Sequence, residues 1–218
     1  MPAKNVDKVF VANGIYHAYN RGVEKRKIFL DDQDYRVFLH LLKYYLSPTD
    51  NHSSHPITST GKLALVRPRP LKNLGEEVKL MAYCLMPNHF HLLLKQTTIN
   101  GMTKLLRRIA TTYSMYFNRR YKRVGYLFQG RYKATRIDDQ MGLLHLSRYI
   151  HLNPVGLVTR SNLVTYPYSS YPYFLRLKTA SWIHPEEILA LTNQYKSFVE
   201  QSPDTQEPVI NNLLIDAK

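Results

Sequence analysis

The feature that most constrains the fold is a pair of apolar runs separated by only two residues. Residues 78–86 and 89–95 are dominated by apolar side chains, and Pro87 and Asn88 lie between them. Pro-Asn is a turn dipeptide, and two strand-like runs joined by so short a turn form an antiparallel hairpin. A chain with this centre builds an antiparallel sheet, and its other elements must cover that sheet.

Other segments predict the elements around this hairpin. Before the hairpin we predict a strand over 10–18, a turn at 20–22 and a helix capped by Asp31 and Asp32. After the hairpin we predict a helix over 99–121, a strand over 131–137 and a helix from Asp138 to Leu152 that Pro154 stops. A segment over 166–175 that packs on the body and a short helix near 185–200 complete the chain. This interleaving predicts an α+β fold in which helices pack on an antiparallel sheet.

The chain length of 218 residues suits one large domain or a domain with an appendage. We predict a domain over 1–178 with a polar excursion at 47–78, followed by a C-terminal helix and acidic tail over 179–218. The longest apolar runs fall far below the roughly 18 residues of a membrane span, and no secretory signal is recognisable. A single cysteine, Cys84, excludes a disulfide framework. We expect a cytoplasmic protein that does not bind membranes.

The charge of the chain is strongly positive and unevenly distributed. Thirty Lys and Arg residues against sixteen Asp and Glu residues give a net charge of +14. Residues 78–137 contain twelve Lys and Arg residues and no acidic residue, whereas six acidic residues and only two Lys residues follow Trp182. Because a solvated surface normally mixes both signs, the basic span predicts a face that binds a polyanion, first of all a nucleic acid.

Two histidines open the second run of the hairpin, as His89-Phe90-His91. Residues two apart in a strand point to the same face, so both imidazoles should lie on one face of the sheet and Phe90 on the other. Two convergent imidazoles are the start of a metal site. The pair alone does not decide the matter, because with nine histidines in the chain such pairs also arise by chance on polar sheet faces.

Tyr149 and Asn153 lie four residues apart in the last long predicted helix and therefore share one face of it. An asparagine carboxamide oxygen is a ligand for hard cations, and a nearby metal ion activates a phenol as a nucleophile. The chain has 17 tyrosines, so a packing role for Tyr149 is the competing interpretation. Because Asn153 precedes Pro154, we expect its backbone to be biased away from helical geometry.

Three segments strongly resemble the REP-associated tyrosine transposases, which are single-tyrosine HUH transposases. In chain order they are residues 85–94 (LMPNHFHLLL), 125–133 (GYLFQGRYK) and 149–155 (YIHLNPV). The flanking segments 20–22 (NRG) and 166–170 (YPYSS) also resemble patterns of that family. Three motifs in order are far more specific than any one of them.

The resemblance implies a ferredoxin-like (RRM-like) sheet, the HUH endonuclease core, with Tyr149 on a helix facing His89 and His91 on a strand. It implies that the two histidines bind a divalent metal ion, Mg²⁺ or Mn²⁺, with Asn153 as the third ligand by position. It also implies that the tyrosine attacks a phosphate of DNA and leaves a 5′-phosphotyrosine and a free 3′-hydroxyl. We therefore predict a transposase-type enzyme that nicks and joins single-stranded or hairpin DNA, such as a REP hairpin, as a monomer or a homodimer.

The basic span supplies the predicted DNA contacts. Cations neutralise phosphates, and interleaved aromatic rings stack on the bases of a single strand. For Tyr113, Tyr116 and Phe117 the helical spacing instead favours packing in the core. The side chains expected to bind DNA are Arg107, Arg108, Arg119, Arg120, Lys122, Arg123, Arg131 and Lys133.

Two other functions stay open on the sequence alone. The first is a nucleic-acid-binding regulator of the same fold that performs no catalysis. The second is a divalent-metal nuclease that uses water as its nucleophile, in which case Tyr149 is structural. A covalent protein–DNA adduct distinguishes the tyrosine enzyme from both.

Overall fold

The computed structural model describes residues 10–48 and 72–201. The strands are β1 (Ile15–Arg21), β2 (Val78–Met86), β3 (His89–Gln96) and β4 (Lys133–Ile137). The helices are α1 (Asp32–Leu46), α2 (Gly101–Arg120), α3 (Gln140–Leu152), α4 (Tyr171–Phe174), α5 (Glu186–Leu189) and α6 (Tyr195–Glu200), with short 3₁₀ turns at Val23–Lys25 and Arg160–Thr165.

The four strands form one antiparallel sheet in the order β2-β3-β1-β4. The chain order of strand, helix, hairpin, helix, strand gives this sheet the ferredoxin-like topology. The predicted fold class is therefore confirmed, and so is the hairpin, whose strands are separated only by Pro87 and Asn88.

Each face of the sheet has its own buried cluster. Phe90 points to the face that α1 and α2 cover, where Tyr113, Tyr116 and Phe117 are buried as their spacing predicted. Cys84 belongs to the opposite cluster, which α3 and the short C-terminal helices cover. Because side chains alternate along the strands, apolar side chains lie on both faces of the sheet. The polar residues of the candidate site lie at one end of the face that α3 covers.

The exposed edge of β2 is covered by the chain that follows α3. The backbone N–H groups of Leu85 and His184 donate to the carbonyls of Tyr168 and Leu80, at 2.9 and 2.8 Å. This confirms that the segment 166–175 packs on the body. Further along, Trp182 joins the α1 and α2 cluster, and Ile188, Tyr195 and Val199 join the α3 cluster.

The domain division at residue 178 stays a prediction. Residues 49–71 of the polar excursion and the acidic residues beyond 201 lie outside the described residues. No helix in the two described ranges combines the length and the apolarity that a membrane span requires.

Three local predictions were wrong. The first strand begins at Ile15 and continues through Asn20 and Arg21, which were predicted to form a turn, because β1 lies inside the sheet and pairs with β3 to its last residue. The N-cap of α3 is Asp139, whose carboxylate accepts from the Gly142 N–H at 2.6 Å. The predicted helix near 185–200 is the two short helices α5 and α6.

Candidate active site

The two histidines of β3 lie side by side on the sheet face that α3 covers. Their ring centroids are 4.9 Å apart, and Phe90 between them points to the opposite face. The strand register places Arg21 opposite His89 and Tyr19 opposite His91, so both β1 residues share this face. The predicted alternation of His89-Phe90-His91 is therefore present.

Helix α3 brings Tyr149 over this pair of histidines. The Tyr149 ring lies edge-on to His91, with centroids 5.4 Å apart and an interplanar angle of 84°. It also lies edge-on to His17 of β1, at 6.3 Å. The structure thus brings the predicted nucleophile and the predicted metal ligands together across 58 residues of chain.

The proton positions on His89 follow from its neighbours. The Asn88 amide donates to the Lys25 carbonyl at 3.2 Å, so its oxygen faces Nδ1 of His89, 2.6 Å away. Nδ1 therefore carries a proton. The Asn153 amide donates to the Tyr149 carbonyl at 2.9 Å, and its oxygen lies 3.4 Å from Nε2 of His89. The two atoms form a hydrogen bond when Nε2 carries a proton, and they can share a cation when it does not.

His91 is oriented by His17, a residue that the sequence analysis missed. Nε2 of His17 lies 2.9 Å from Nδ1 of His91, and the two rings stack. Burial lowers the pKa of His17 to about 3. Burial, together with the nearby His17 and His89, lowers the pKa of His91 well below its usual value. Both rings are therefore neutral, and a single proton joins them.

The second nitrogen of His91 faces the site. Nε2 is buried and has no hydrogen-bond partner among the described residues. When His91 donates from Nδ1 to His17, this atom presents a lone pair. A buried nitrogen without a partner costs about 1–3 kcal/mol, and Nδ1 of the adjoining His17 is a second such nitrogen.

Asn153 keeps helical backbone geometry, contrary to the expectation drawn from Pro154. Its φ and ψ are −50° and −37°, and it forms the C-cap of α3. The side-chain amide bonds back to the Tyr149 carbonyl, one turn earlier, and this bond holds the last turn of the helix despite the proline. Tyr149 and Asn153 therefore do share one helix face.

The rotation of α3 about its axis is fixed by His151, on the side away from the site. His151 is fully buried, with Nδ1 2.8 Å from the Tyr195 hydroxyl and Nε2 2.8 Å from the Ser170 hydroxyl. Tyr195 in turn donates to Ser147 at 2.8 Å. Because the Tyr195 proton goes to Ser147, Nδ1 of His151 donates to the Tyr195 hydroxyl. Burial lowers the pKa of His151 to about 3, so it stays neutral in this network.

The predicted DNA-binding cations divide into exposed and engaged side chains. Arg107, Arg119, Lys122 and Arg131 are exposed. Three others lie over rings: Arg108 over Tyr45, Arg123 over Phe117 and Lys133 over Tyr19. Arg120 is bound inside the protein, because its guanidinium pairs with Asp31 and with Asp34, whose side chain is fully buried. The prediction that these side chains bind DNA stays a prediction, and Arg120 has the fewest donors left for it.

A comparison with protein families bears on this site directly. The model described as "Transposase IS200 like" matches the chain from residue 73 to residue 153. Residues 73–153 match the IS200-like transposase family. The IS200-like segment begins just before β2 and ends at Asn153, so it includes His89, His91 and Tyr149.

The fold of the whole chain is also similar to a solved structure. That structure is of the REP-associated tyrosine transposase bound to a REP hairpin, with a TM-score of 0.52 and 16% sequence identity. The match covers 81% of this chain and 88% of that chain. A search of the curated proteins gave no match. The resemblance inferred from the three motifs is thus confirmed by the IS200-like segment and by the fold.

Two residues of the site carried different signals in the sequence. Arg21 was contained in the NRG pattern, although it was interpreted there as a turn. His17 had no signal, because its role depends on the register between β1 and β3, which places it diagonally across from His91. Strand register of this kind is not contained in the local pattern of either strand.

Proposed function

We propose that this protein is a DNA transposase that nicks and joins single-stranded or hairpin DNA through Tyr149. One observation carries the proposal: the Tyr149 ring lies edge-on to His91, in a site that also contains His89 and Asn153, inside the segment that matches the IS200-like transposases. The solved structure of similar fold is bound to a REP hairpin, which makes hairpin DNA the first substrate to test.

These side chains are of types that bind a divalent metal ion. The ligands in this proposal are the Nε2 atoms of His89 and His91 and the amide oxygen of Asn153, because no group of three His, Cys, Asp or Glu side chains within residues 10–48 and 72–201 forms a metal site without an amide or water ligand. Such an incomplete set leaves positions for phosphate oxygens and water, as Mg²⁺ and Mn²⁺ sites in phosphoryl-transfer enzymes do. When bound, the ion polarises the scissile phosphate and offsets its charge.

The Tyr149 hydroxyl is the nucleophile in this proposal. Its oxygen forms a bond to phosphorus while the bond from phosphorus to the 3′-oxygen breaks; the phenol loses its proton, and the departing 3′-oxygen gains one. The product is a 5′-phosphotyrosine. Because this ester conserves the energy of the broken bond, a 3′-hydroxyl reverses the step and joins strands without ATP.

The chain's own residues place the nucleophile and the DNA. His151 and Tyr195 fix the rotation of α3, and the Asn153 amide holds its last turn, so the Tyr149 ring faces the histidines before DNA arrives. Such preorganisation is a large source of rate, since about 1 Å of misplacement costs on the order of 100-fold. The exposed cations of residues 78–137 supply salt-dependent attraction for phosphates.

The experiment is a cleavage assay on labelled hairpin oligonucleotides with single-stranded flanks, in Mg²⁺ and in Mn²⁺. The wild-type protein nicks the DNA and gives a denaturation-resistant adduct. Tyr149→Phe binds the same DNA with unchanged affinity and gives neither product. Tyr116→Phe, a buried tyrosine of α2 away from the site, is the matched control and cleaves at a rate close to the wild-type rate, with its folding checked by melting.

Other outcomes identify the alternatives. Nicking by both the wild type and Tyr149→Phe, without an adduct, indicates a nuclease that uses water. Binding without cleavage by either protein, in both metals, indicates a regulator. Loss of cleavage in Tyr116→Phe but not in Tyr149→Phe, with normal melting, means that the nucleophile is on α2.

A further inference from the structure

One aromatic side chain stands apart from the other rings of this protein. Tyr126, between α2 and β4, is 88% exposed, and the neighbouring Val124 is 95% exposed. Among the residues that the structure describes, Tyr126 is the only largely exposed aromatic side chain, and neither its ring nor its hydroxyl has a partner there. Exposing such apolar area to water is unfavourable, and no packing contact in the described residues explains it.

The segment that presents Tyr126, residues 122–126, is held in place and is called here the stacking loop. The Asn118 amide donates to the Gly125 carbonyl at 2.8 Å, and its oxygen accepts from the Arg123 guanidinium at 3.0 Å. The backbone of Gly125 has a φ of +91°, which favours glycine. The backbone that carries the ring is therefore held, so little backbone conformational entropy is lost when a ligand stacks on the ring.

The surroundings of the stacking loop are cationic. Lys122 in the loop and Arg119, three residues before it, are exposed, and residues 78–137 contain no carboxylate. A flat exposed ring beside cations is the combination by which proteins bind unpaired nucleotides, since the ring stacks on a base and the cations neutralise the adjoining phosphates. A second protein copy is a poorer occupant, because a stable interface buries about 800 Å² on each partner, far more than two side chains provide.

The stacking loop leads to the end of the sheet at which the candidate site lies. Phe128 pairs with Gly22, and the Gln129 N–H donates to the Arg21 carbonyl at 2.8 Å. Arg21 in turn lies opposite His89 in the register of β1 and β3. The chain that follows the stacking loop therefore returns to the sheet beside Arg21, the residue opposite His89.

We infer that the stacking loop is a nucleobase-binding site, in which the Tyr126 ring stacks on an unpaired base of the DNA that flanks or caps the hairpin. The inference rests on the proposed function, because it takes DNA as the substrate. It adds a DNA contact outside the candidate active site. The residue that makes it, Tyr126, is neither a proposed metal ligand nor the proposed nucleophile. Stacking on a ring does not read the base, so this contact gives affinity and register rather than a choice of sequence.

The experiment places 2-aminopurine at successive unpaired positions of the hairpin oligonucleotide and follows its fluorescence as protein is added without metal. At one position, the wild type and the ring-preserving Tyr126→Phe quench the fluorescence, and Tyr126→Ala does not. Tyr126→Ala weakens binding roughly 5- to 150-fold, the range for one stacked base. The slope of log affinity against log salt stays unchanged, because no cation is removed.

Each contrary result has a separate meaning. If the DNA binds and Tyr126→Ala quenches as the wild type does, the inference is wrong while the proposed function stands. If no DNA binds to any variant, the proposed function itself fails. If Tyr126→Ala instead shifts a dimer to a monomer in sedimentation with unchanged DNA affinity, the loop is a protein interface and the inference is wrong. Melting of Tyr126→Ala close to the wild type, as expected for an exposed side chain, shows that folding is intact.

Discussion

His91 and His151 are both buried neutral imidazoles, and they lie on opposite sides of the contact between the sheet and α3. His151 has a partner at each nitrogen, Tyr195 and Ser170, at 2.8 Å. His91 has a partner at only one nitrogen, and its second nitrogen is buried without one among the described residues. A buried histidine with a partner at both nitrogens is explained by the stability that its hydrogen bonds provide. A buried histidine with one unpaired nitrogen lowers stability, and this arrangement points to a ligand.

Truncating each histidine to alanine gives the largest expected difference. His91→Ala loses cleavage by at least about 100-fold, because a metal ligand is removed, and it loses Mn²⁺ binding. His151→Ala retains Mn²⁺ binding but lowers the free energy of unfolding by about 2–5 kcal/mol, because it leaves a cavity and removes two buried hydrogen bonds, to Tyr195 and to Ser170. Chemical denaturation and Mn²⁺ titration of the two proteins measure both effects. If His91→Ala and His151→Ala were equally destabilised and bound Mn²⁺ equally well, the two histidines would not have different roles.

The anchoring role of the completed network is tested by Tyr195→Phe. Removing this hydroxyl leaves Nδ1 of His151 without its partner and takes one hydrogen bond from Ser147, so the free energy of unfolding falls by about 1–3 kcal/mol. The cleavage rate falls as well, because α3 holds Tyr149 less precisely, whereas metal binding is retained through His89 and His91 on β3. Tyr126→Phe, which removes a hydroxyl with no partner among the described residues, is the matched control and unfolds as the wild type does. Complete loss of metal binding in Tyr195→Phe would contradict the separation of the two regions.

The incomplete network depends on His17, and His17→Phe sharpens the comparison. Without the acceptor at His17, the His91 ring loses the bond that fixes its orientation and proton position, so Mn²⁺ affinity falls about 10- to 100-fold. His17→Gln supplies an acceptor again and recovers part of that affinity. Calorimetry in the absence of DNA gives the affinities directly. Unchanged affinity in His17→Phe would show that His17 only packs against His91.

The same comparison applies to the basic side chains, of which some are paired within the protein and others are exposed. Here we expect the smallest effect, a change in the salt dependence of DNA binding. Lys122→Gln removes an exposed charge and lowers the salt slope of single-strand binding by about 0.7. Arg120→Gln leaves the slope unchanged but lowers the melting temperature, because the buried Asp34 loses its ion pair. A fall in slope for Arg120→Gln would mean that DNA displaces Asp31 and Asp34 from this arginine.

The sheet and the first set of site residues were predictable because their signals are local. The Pro87-Asn88 turn fixed the hairpin, and strand alternation placed His89 and His91 on one face. Helical spacing likewise put Tyr149 and Asn153 on one face of α3. In each case the relevant residues lie within a few positions of one another, so the repeat of one strand or one helix relates them.

What the sequence did not reveal depends on contacts between distant segments. His17 acts through the register of β1 against β3, and His151 acts through Ser170 and Tyr195, neither of which is adjacent in sequence. Arg120 looked like its neighbours in a basic run, but helix rotation turns it towards Asp31 and Asp34 on α1. Local charge and spacing do not distinguish a residue that completes the protein's own network from one that faces a ligand.

The most direct test of the central claim is to trap the bond to Tyr149. A hairpin oligonucleotide with sulfur in place of the 3′-bridging oxygen at the cleavage position releases a thiol that rejoins poorly, so the protein–DNA adduct accumulates. Proteolysis and mass spectrometry then locate the residual nucleotide. We predict a single modified peptide, with the phosphodiester on Tyr149. A nucleotide on another tyrosine, or a cleaved 5′-phosphate with no modified peptide, would contradict the claim.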